Sequence, residues 1–472
     1  MKKLSELYQG YPDILINDIK INSQEVQEGD LFICVNGVTA DRHDFVIDAV
    51  DKGAVAIVAS KKIDVSVPVI YVDDTNKELI RIAKIFYDYQ EDDFKLIGIT
   101  GTNGKTTTAL IIQDLIGDSE CGYIGTNGIK CSKFFEKIRN TTPDADRLYK
   151  YFKRLKENGS KYISMETSSE AFYRGRLDNL SFDVGVITNI SEDHLNIHKT
   201  IDNYVNCKKN LVKQVKEKGF CILNIDDKYY DEFKSVAKGN VLTYGKKNST
   251  LQIVDINLFI DKTEISLKYQ GKIYNIISPL LGEFNVYNLC SAILSLLALD
   301  YDINDIIKRI SCISIPKGRM EKIEFNGKYH IIIDYAHTED AFIKLYDLLK
   351  KVKKGRIITV TGSAGGREHE KRPKMGKVVL DNSDYVIFTM DDPRWEDVNK
   401  IIDDLVSESN KDNFERIINR EDAIKKALDM AKDDDIILIA GKGDDNYMAI
   451  EDKYLPYKDY DVVKKYLDNN KN

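Results

Sequence analysis

The sequence has no C-x-x-C pair, and its seven cysteines (Cys34, Cys121, Cys131, Cys207, Cys221, Cys290, Cys312) are scattered and odd in number. That pattern excludes a disulfide framework and a structural zinc cluster, and a reduced, cytoplasmic setting is expected. No run of ~18 apolar residues is present, so no membrane association is expected. The opening Met1-Lys2-Lys3-Leu4-Ser5-Glu6-Leu7 leads into no apolar core of signal-peptide type. Lysines are interspersed with acids, no basic tract occurs, and the net charge is −7. Nucleic acid is therefore not an expected partner. Internal repeats and low-complexity runs are also lacking.

What is present is an ordinary globular composition, 43% hydrophobic and 31% charged, over 472 residues. Single cores stop growing near ~250–300 residues, so several domains are expected. Short apolar runs alternate with helical patterns throughout, which places the chain in the α/β class. Three domains are read at residues 1–93, 94–316 and 317–472. The first is a small α/β unit, with strands at Asp30–Val35 and Ala54–Ala59 and a helix from Asp44 to Val50. The second is a mostly parallel sheet with helices on both faces, and the third is a second doubly wound, Rossmann-like sheet. Pro316 and Gly318 mark the boundary before the third.

The most informative stretch is Lys95 to Thr108. The apolar run Leu96, Ile97, Ile99 reads as a buried strand, and a helical pattern begins near Thr106. Gly101, Thr102, Asn103 and Gly104 lie between them. A strand, a glycine-rich turn and a helix N-terminus form a phosphate cradle, because amide N–H groups and the helix dipole both favour an anion. Lys105 is placed to reach the terminal phosphates, and the Thr106 hydroxyl to hold Mg²⁺. The spacing departs from G-x-x-x-x-G-K-[ST], since Gly98 lies six residues before Gly104. The flanking strand and helix still favour ATP binding over a plain turn.

In parallel α/β sheets ligands bind beyond the C-terminal strand ends. Glu166 follows the run Tyr162–Met165, and His194 follows the run Phe182–Ile187. Glu166 reads either as a helix N-terminal acid or as a metal carboxylate. His194 reads either as a satisfied loop histidine or as a metal-site residue. Their places after successive strands of a phosphate-binding sheet favour metal. Lys208 lies on an amphipathic helical pattern, where a solvated lysine is the plain reading. For Ser23 and His43 the plain reading is turn chemistry and capping. Asn285 and Asn288 fit either capping or contact with a base. In the third domain, Ile331–Ile333, Arg356–Val360, Asp384–Thr389 and Asp435–Ile439 read as strands closing on glycine, aspartate or arginine clusters. Arg367 and Arg394 there suit bidentate carboxylate binding, and an anionic ligand is favoured over surface ion pairs. A cradle with a metal site together with such arginines suggests carboxylate activation: ATP phosphorylates an acid, and an amine displaces the phosphate.

Several blocks in order carry a family resemblance that covers nearly the whole chain. They are Asn22-Ser23 through Gly29-Asp30-Leu31-Phe32, His43-Asp44-Phe45, Gly101 to Thr107, Thr141-Thr142-Pro143-Asp144, and Glu166-Thr167-Ser168-Ser169. Asp193-His194 with Lys208, Gly282 to Asn288, Gly318-Arg319-Met320-Glu321, Asp334 to Thr338, Lys371-Arg372-Pro373 and Asp391-Asp392-Pro393-Arg394 complete the set. In these the chain resembles the Mur ligases of bacterial cell-wall synthesis, and among them those that add a diamino acid. The resemblance implies a cytoplasmic, monomeric ligase that uses ATP and Mg²⁺. Its substrates would be UDP-N-acetylmuramyl-L-alanyl-D-glutamate and a free amino acid, joined through an acyl phosphate, and residues 1–93 would bind the UDP-sugar.

The resemblance also implies roles. Ser23 and His43 would lie by the uridine, and Thr141, Thr142, Ser168 and Arg176 would hold the muramyl dipeptide. Gly101, Thr102, Asn103, Gly104, Lys105, Thr106, Thr107, Asn288, Arg319, Asp334 and His337 would meet ATP. Thr106, Glu166, His194 and a carbamylated Lys208 would serve the metal. Arg367, Asp391, Asp392, Arg394, Gly441 and Asp445 would meet the incoming amino acid. Three places depart from the family pattern. Glu170 stands where histidine is usual, Asp391-Asp392-Pro393-Arg394 replaces Asp-Asn-Pro-Arg, and Gly441-Lys442-Gly443-Asp444-Asp445 replaces Gly-Lys-Gly-His-Glu. Arg394 favours a second carboxylate, as in meso-diaminopimelate, whereas Asp392 and Asp445 would suit the free ammonium of L-lysine. A folylpolyglutamate-synthase-like ligase and a non-catalytic nucleotide-binding paralogue are the alternatives.

Overall fold

Short runs rich in isoleucine, valine and leucine, too brief for helices and apolar on both faces, become parallel strands. The computed structural model describes residues 1–35, 41–193, 195–314, 317–366 and 369–469, without the side chains of 195 and 196. His194, Pro316 and Arg367 lie outside the described residues. The chain forms two compact units. One comprises Met1–Ile253, Lys268–Ile273 and Tyr287–Arg309; the other comprises Val254–Leu267, Tyr274–Val286 and Ile310–Asn472.

The first unit holds a small parallel sheet of β1 (Ile19–Lys20), β2 (Leu31–Ile33), β3 (Ala56–Ala59) and β4 (Val69–Tyr71), paired in that order. Helix α1 (Thr75–Phe86) follows, its N-terminus capped by the Asp74 carboxylate, and packs Leu79, Ile82 and Phe86 on the Leu31 and Ile33 side. Phe32, Ile57 and Ala59 face the helix Val46–Asp51 on the other side. The strand expected over Asp30–Val35 is shorter. The helix expected from Asp44 begins as a 3-10 turn, Arg42–Phe45, because the Asp41 carboxylate accepts from the His43 N–H and caps it there.

The larger sheet of this unit is built from β5 (Lys95–Thr100), β6 (Cys121–Gly125), β7 (Gly128–Cys131), β8 (Phe134–Glu136), β9 (Tyr162–Glu166), β10 (Phe182–Ile187), β11 (Val215–Asn224) and β12 (Asn240–Gly245). The lateral order is β8-β7-β6-β9-β5-β10-β11-β12. The pairings from β6 through β12 are parallel, whereas β7 and β8 return as an antiparallel edge. Helices α2 (Lys105–Ile116), α3 (Ala145–Glu157) and α4 (Ile201–Lys213) connect the strands. Tyr149, Phe152 and Leu155 of α3 and Leu211 and Val212 of α4 join Leu96, Ile163, Met165 and Phe182 in one apolar core.

In the second unit β13 (His330–Asp334), β14 (Ile357–Thr361), β15 (Tyr385–Phe388), β16 (Phe414–Arg416) and β17 (Ile436–Ala440) are all parallel, in the order β13-β17-β14-β15-β16. Alternate residues enter two separate cores: Ile332, Ile357, Val386 and Leu438 in one, and Ile331, Ile333, Ile358, Ile387 and Ile437 in the other. Both faces of the sheet are therefore buried, as a doubly wound fold requires. No described helix is long and apolar enough to cross a membrane.

Candidate active site

In the first unit the cradle is set by backbone geometry. Gly104 stands at φ 84° as the N-cap of α2, and a Cβ there would collide with the Asn288 Oδ1 atom. A Cβ on Gly101 would collide with the Thr188 hydroxyl. Both positions need glycine for close approach. The loop between them is laced to the end of β10. Thr188 Oγ1 donates to the Asn103 carbonyl at 2.6 Å, Asn189 Nδ2 donates to the same oxygen at 3.0 Å, and Thr102 Oγ1 donates to the Ser191 carbonyl at 3.1 Å. Lys105 Nζ curls back to the carbonyls of Gly101 and Thr102, both at 2.8 Å. The loop is thus pre-shaped, with the Lys105 side chain folded back over it.

Lys208 overturns the solvated reading. Its side chain on α4 is buried, and Nζ donates to the Gly101 carbonyl at 2.8 Å and lies 3.3 Å from Thr100 Oγ1. Burial pushes the ammonium well below its ordinary range, and the nearby Lys105 charge pushes it further, against an opposing pull from Asp193. Helical spacing could not show this, because the groups that bury Lys208 come from β5 and the loop after it.

Glu166 is the last residue of β9, not the start of a helix, and it is fully buried. Its Oε1 accepts from Tyr123 Oη at 2.6 Å and from the Thr126 N–H at 2.9 Å; its Oε2 accepts from Thr106 Oγ1 at 2.9 Å and Thr126 Oγ1 at 3.2 Å. The hydroxyl of the cradle and the buried carboxylate therefore touch. Hard oxygen donors of this kind fit Mg²⁺. Tyr123 and Thr126 escaped the sequence reading, although the apolar run Cys121–Gly125 ends in Thr126 at a C-terminal strand edge, where ligand-facing residues collect.

The residues expected to hold the dipeptide gather beside the end of β9. Thr142 Oγ1 donates to the Glu166 carbonyl at 2.8 Å and accepts from the Ser168 N–H at 3.0 Å. Arg176 donates to the Thr142 carbonyl at 3.1 Å and pairs with Asp144 at 2.6 Å. Thr141 Oγ1 lies 3.0 Å from Thr126 Oγ1. Glu170 instead pairs with Arg174 at 2.7 Å, one turn along its helix. His43 has protein partners at both ring nitrogens: Nδ1 lies 2.5 Å from Asp41 Oδ1, and Nε2 accepts from the Ser60 N–H at 3.0 Å. Ser23 is buried in a 3-10 turn.

In the second unit Asp334 ends β13 and accepts from the N–H groups of Met320 and Ala336 at 2.7 and 2.8 Å. Burial raises its carboxyl, opposed by those amides and by Arg319. The Arg319 guanidinium sits 5.0 Å from the Tyr335 ring, and His337 Nδ1 lies 2.7 Å from the Tyr335 carbonyl. A second cluster surrounds Lys442, which is fully buried and lies 2.8 Å from Asp392, 3.8 Å from Asp391 and 3.8 Å from Asp445. Asp392 Oδ1 also accepts from the Ala449 N–H at 2.8 Å. Asp392 thus pairs with a buried lysine that it shares with Asp391 and Asp445. Asp392 and Arg394 both hold positive φ, 46° and 54°, a strained backbone for residues with side chains. Arg394 Nε is buried without a hydrogen-bond partner. Gly441 packs so closely on Asp391 that a Cβ would strike its carboxylate.

Three family descriptions match along the chain: the Mur ligase family, catalytic domain, over residues 15–91; the Mur ligase middle domain over 99–296; and the Mur ligase, glutamate ligase domain over 318–443. A relative from Fusobacterium nucleatum, named UDP-N-acetylmuramoyl-L-alanyl-D-glutamate--2,6-diaminopimelate ligase, is 37% identical over 456 residues, covering 95% of this chain and 93% of its own. A relative of the same name from Aquifex aeolicus is 36% identical, covering 98% of this chain and 96% of its own. A solved structure titled as such a ligase matches with TM-score 0.73 and 27% identity, over 100% of both chains. The order of the three matches, the span of the relatives and the cradle built around Gly104 and Lys105 agree, and on them the chain belongs to the Mur ligase family.

Proposed function

We propose that this chain uses ATP and Mg²⁺ to join meso-diaminopimelate to UDP-N-acetylmuramoyl-L-alanyl-D-glutamate. One observation carries the reading: a single residue, Glu166, meets the cradle through its carboxylate and Thr106, and meets the acceptor loop through its carbonyl and Thr142. That contact supports a reading in which the end of the nucleotide and the acid to be activated meet near Glu166. A carboxylate oxygen of the acceptor attacks the γ-phosphorus and ADP leaves. The amine then attacks the acyl carbon, and phosphate leaves with the oxygen that the carboxylate brought. Glu166 and Thr106 would hold Mg²⁺, which would neutralise phosphate charge when bound. Lys105 supplies a second cation at the transferring group. Thr141, Thr142, Ser168 and Arg176 orient the acceptor.

Lys208 is read as the site of carbamylation. Its neutral amine would add CO₂ and release a proton, leaving a carbamate anion in place of a basic group. On the second unit, Arg394, with its unpartnered Nε, is assigned to the distal carboxylate of the incoming amino acid, and Asp445 to an ammonium. The names of the relatives and the internal pairing of Asp392 both support diaminopimelate over lysine.

The test is ADP release from the full-length protein with ATP, Mg²⁺, the UDP-dipeptide and a panel of amines. The reading expects release only when all partners are present, with the highest kcat/KM for meso-diaminopimelate. Equal turnover with no amine, or with folate in place of the UDP-dipeptide, would contradict it.

A further inference from the structure

The Glu166 carboxylate is held by a turn that no substrate or nucleotide assignment has used. We propose that Tyr123 and Thr126 are positioning residues for Glu166, and that the Thr126 hydroxyl couples the metal site to the acceptor loop. The inference rests on the reading of Glu166 as the metal carboxylate.

A buried carboxylate is costly unless hydrogen bonds satisfy it, and its aim is then fixed by its donors. Among the described residues, three of the four donor groups to Glu166 come from residues 123–126. Tyr123 Oη and the Thr126 N–H both reach Oε1, at 2.6 and 2.9 Å, and Thr126 Oγ1 reaches Oε2 at 3.2 Å. The fourth, Thr106 Oγ1, belongs to the cradle itself. Tyr123 is fully buried, and its phenol O–H donates to Glu166 Oε1. The turn is wrapped around that phenol: the Asn127 N–H donates to Tyr123 Oη at 3.2 Å. Gly125 completes the arrangement, because a Cβ there would strike both Glu166 Oε1 and Tyr123 Oη.

The coupling follows from a count of protons. The Thr126 hydroxyl has one, and it lies between the Glu166 carboxylate and the Thr141 hydroxyl, 3.0 Å away. Glu166 is acceptor-only when ionised, so Thr126 donates to it and accepts from Thr141. A cation that draws Oε2 changes what Thr126 can offer Thr141, and a substrate that engages Thr141 changes what Thr126 can offer Glu166. By linkage, each ligand then alters the other's affinity by the same factor.

The experiment titrates Mg²⁺ against ADP-bound full-length protein by calorimetry, with and without UDP-N-acetylmuramoyl-L-alanyl-D-glutamate. Thermal unfolding without ligands is recorded alongside. In the wild type the UDP-dipeptide is expected to lower the half-saturating Mg²⁺ concentration. Tyr123→Phe is expected to raise that concentration roughly tenfold or more, the cost typical of losing an outer partner of a metal ligand. Thr126→Val, at an exposed turn, is expected to abolish the effect of the UDP-dipeptide on Mg²⁺ while leaving ligand-free unfolding near the wild type. Variants that shift only the unfolding temperature, or a wild type in which the two ligands bind independently, would overturn the proposal. Glu166→Gln separates the layers. If it weakens Mg²⁺ binding while Tyr123→Phe and Thr126→Val do not, the positioning roles fail and the metal reading stands. If it leaves Mg²⁺ binding unchanged, the metal reading fails and this inference with it.

Discussion

A lysine buried beside a second lysine gives up its proton readily, and Lys208 is in that position. Lys208→Ala is expected to lower turnover by roughly a hundredfold or more, the scale of a lost electrostatic group in a water-poor site. Short-chain carboxylates added to the assay should restore part of the rate. An unchanged rate would remove the carbamate from the account.

Asp146 gives a separate test at the same scale. It is 4% exposed, its Oδ1 has no hydrogen-bond partner, and burial first and the neighbouring Asp144 second push its carboxyl up to about 7. Folding thus favours the protonated form, so this group's contribution is full below its ordinary pKa of 3.8 and is lost as pH rises through about 7. Asp146→Asn should be more stable than the wild type at about pH 8, by on the order of 2–4 kcal/mol, with the difference vanishing below about pH 4. Denaturant unfolding at the two pH values checks both the sign and the window.

At the scale of elements, the strand–turn–helix around Gly104 was legible because it is local: the apolar run, the glycines and the helix start lie within twenty residues. Gly104→Ala would force a side chain into positive φ and onto Asn288. The variant is expected to keep its circular-dichroism spectrum and to lose measurable ATP binding by calorimetry. Strand positions in both units were also legible to within a residue or two, since β-branched runs closed by glycine or aspartate read directly as buried parallel strands. The donors to Glu166 were not legible. They depend on β6 lying beside β9, with Tyr123 opposite Ser164, and no local pattern encodes which strand pairs with which. The small sheet's helix start was displaced for a related reason, because an aspartate cap at Asp41 overrode the apolar periodicity.

At the scale of the whole molecule, three consecutive matches and relatives aligned over almost the full length give the family, while the residues that differ from the family pattern needed the structure. Glu170 turned out to pair within its own helix, and Asp392 to neutralise a buried lysine. The Glu170 pair is local, four residues apart on one helix, whereas the Lys442 partner of Asp392 is fifty residues away and is fixed by tertiary contact. Asp392 is therefore expected to act on the protein more than on the substrate. Asp392→Asn should leave the ratio of kcat/KM for meso-diaminopimelate over L-lysine within about threefold of the wild type, because either side chain leaves Arg394 to make the discriminating contact.

The central claim is that the acceptor's carboxylate, and not water or the amine, receives the γ-phosphoryl group. It is tested by running one turnover with UDP-dipeptide whose terminal carboxylate carries isotopically heavy oxygen and measuring the mass of the inorganic phosphate released. The account predicts that each phosphate acquires one heavy oxygen from the dipeptide; phosphate of natural mass, formed together with the amide product, would contradict it.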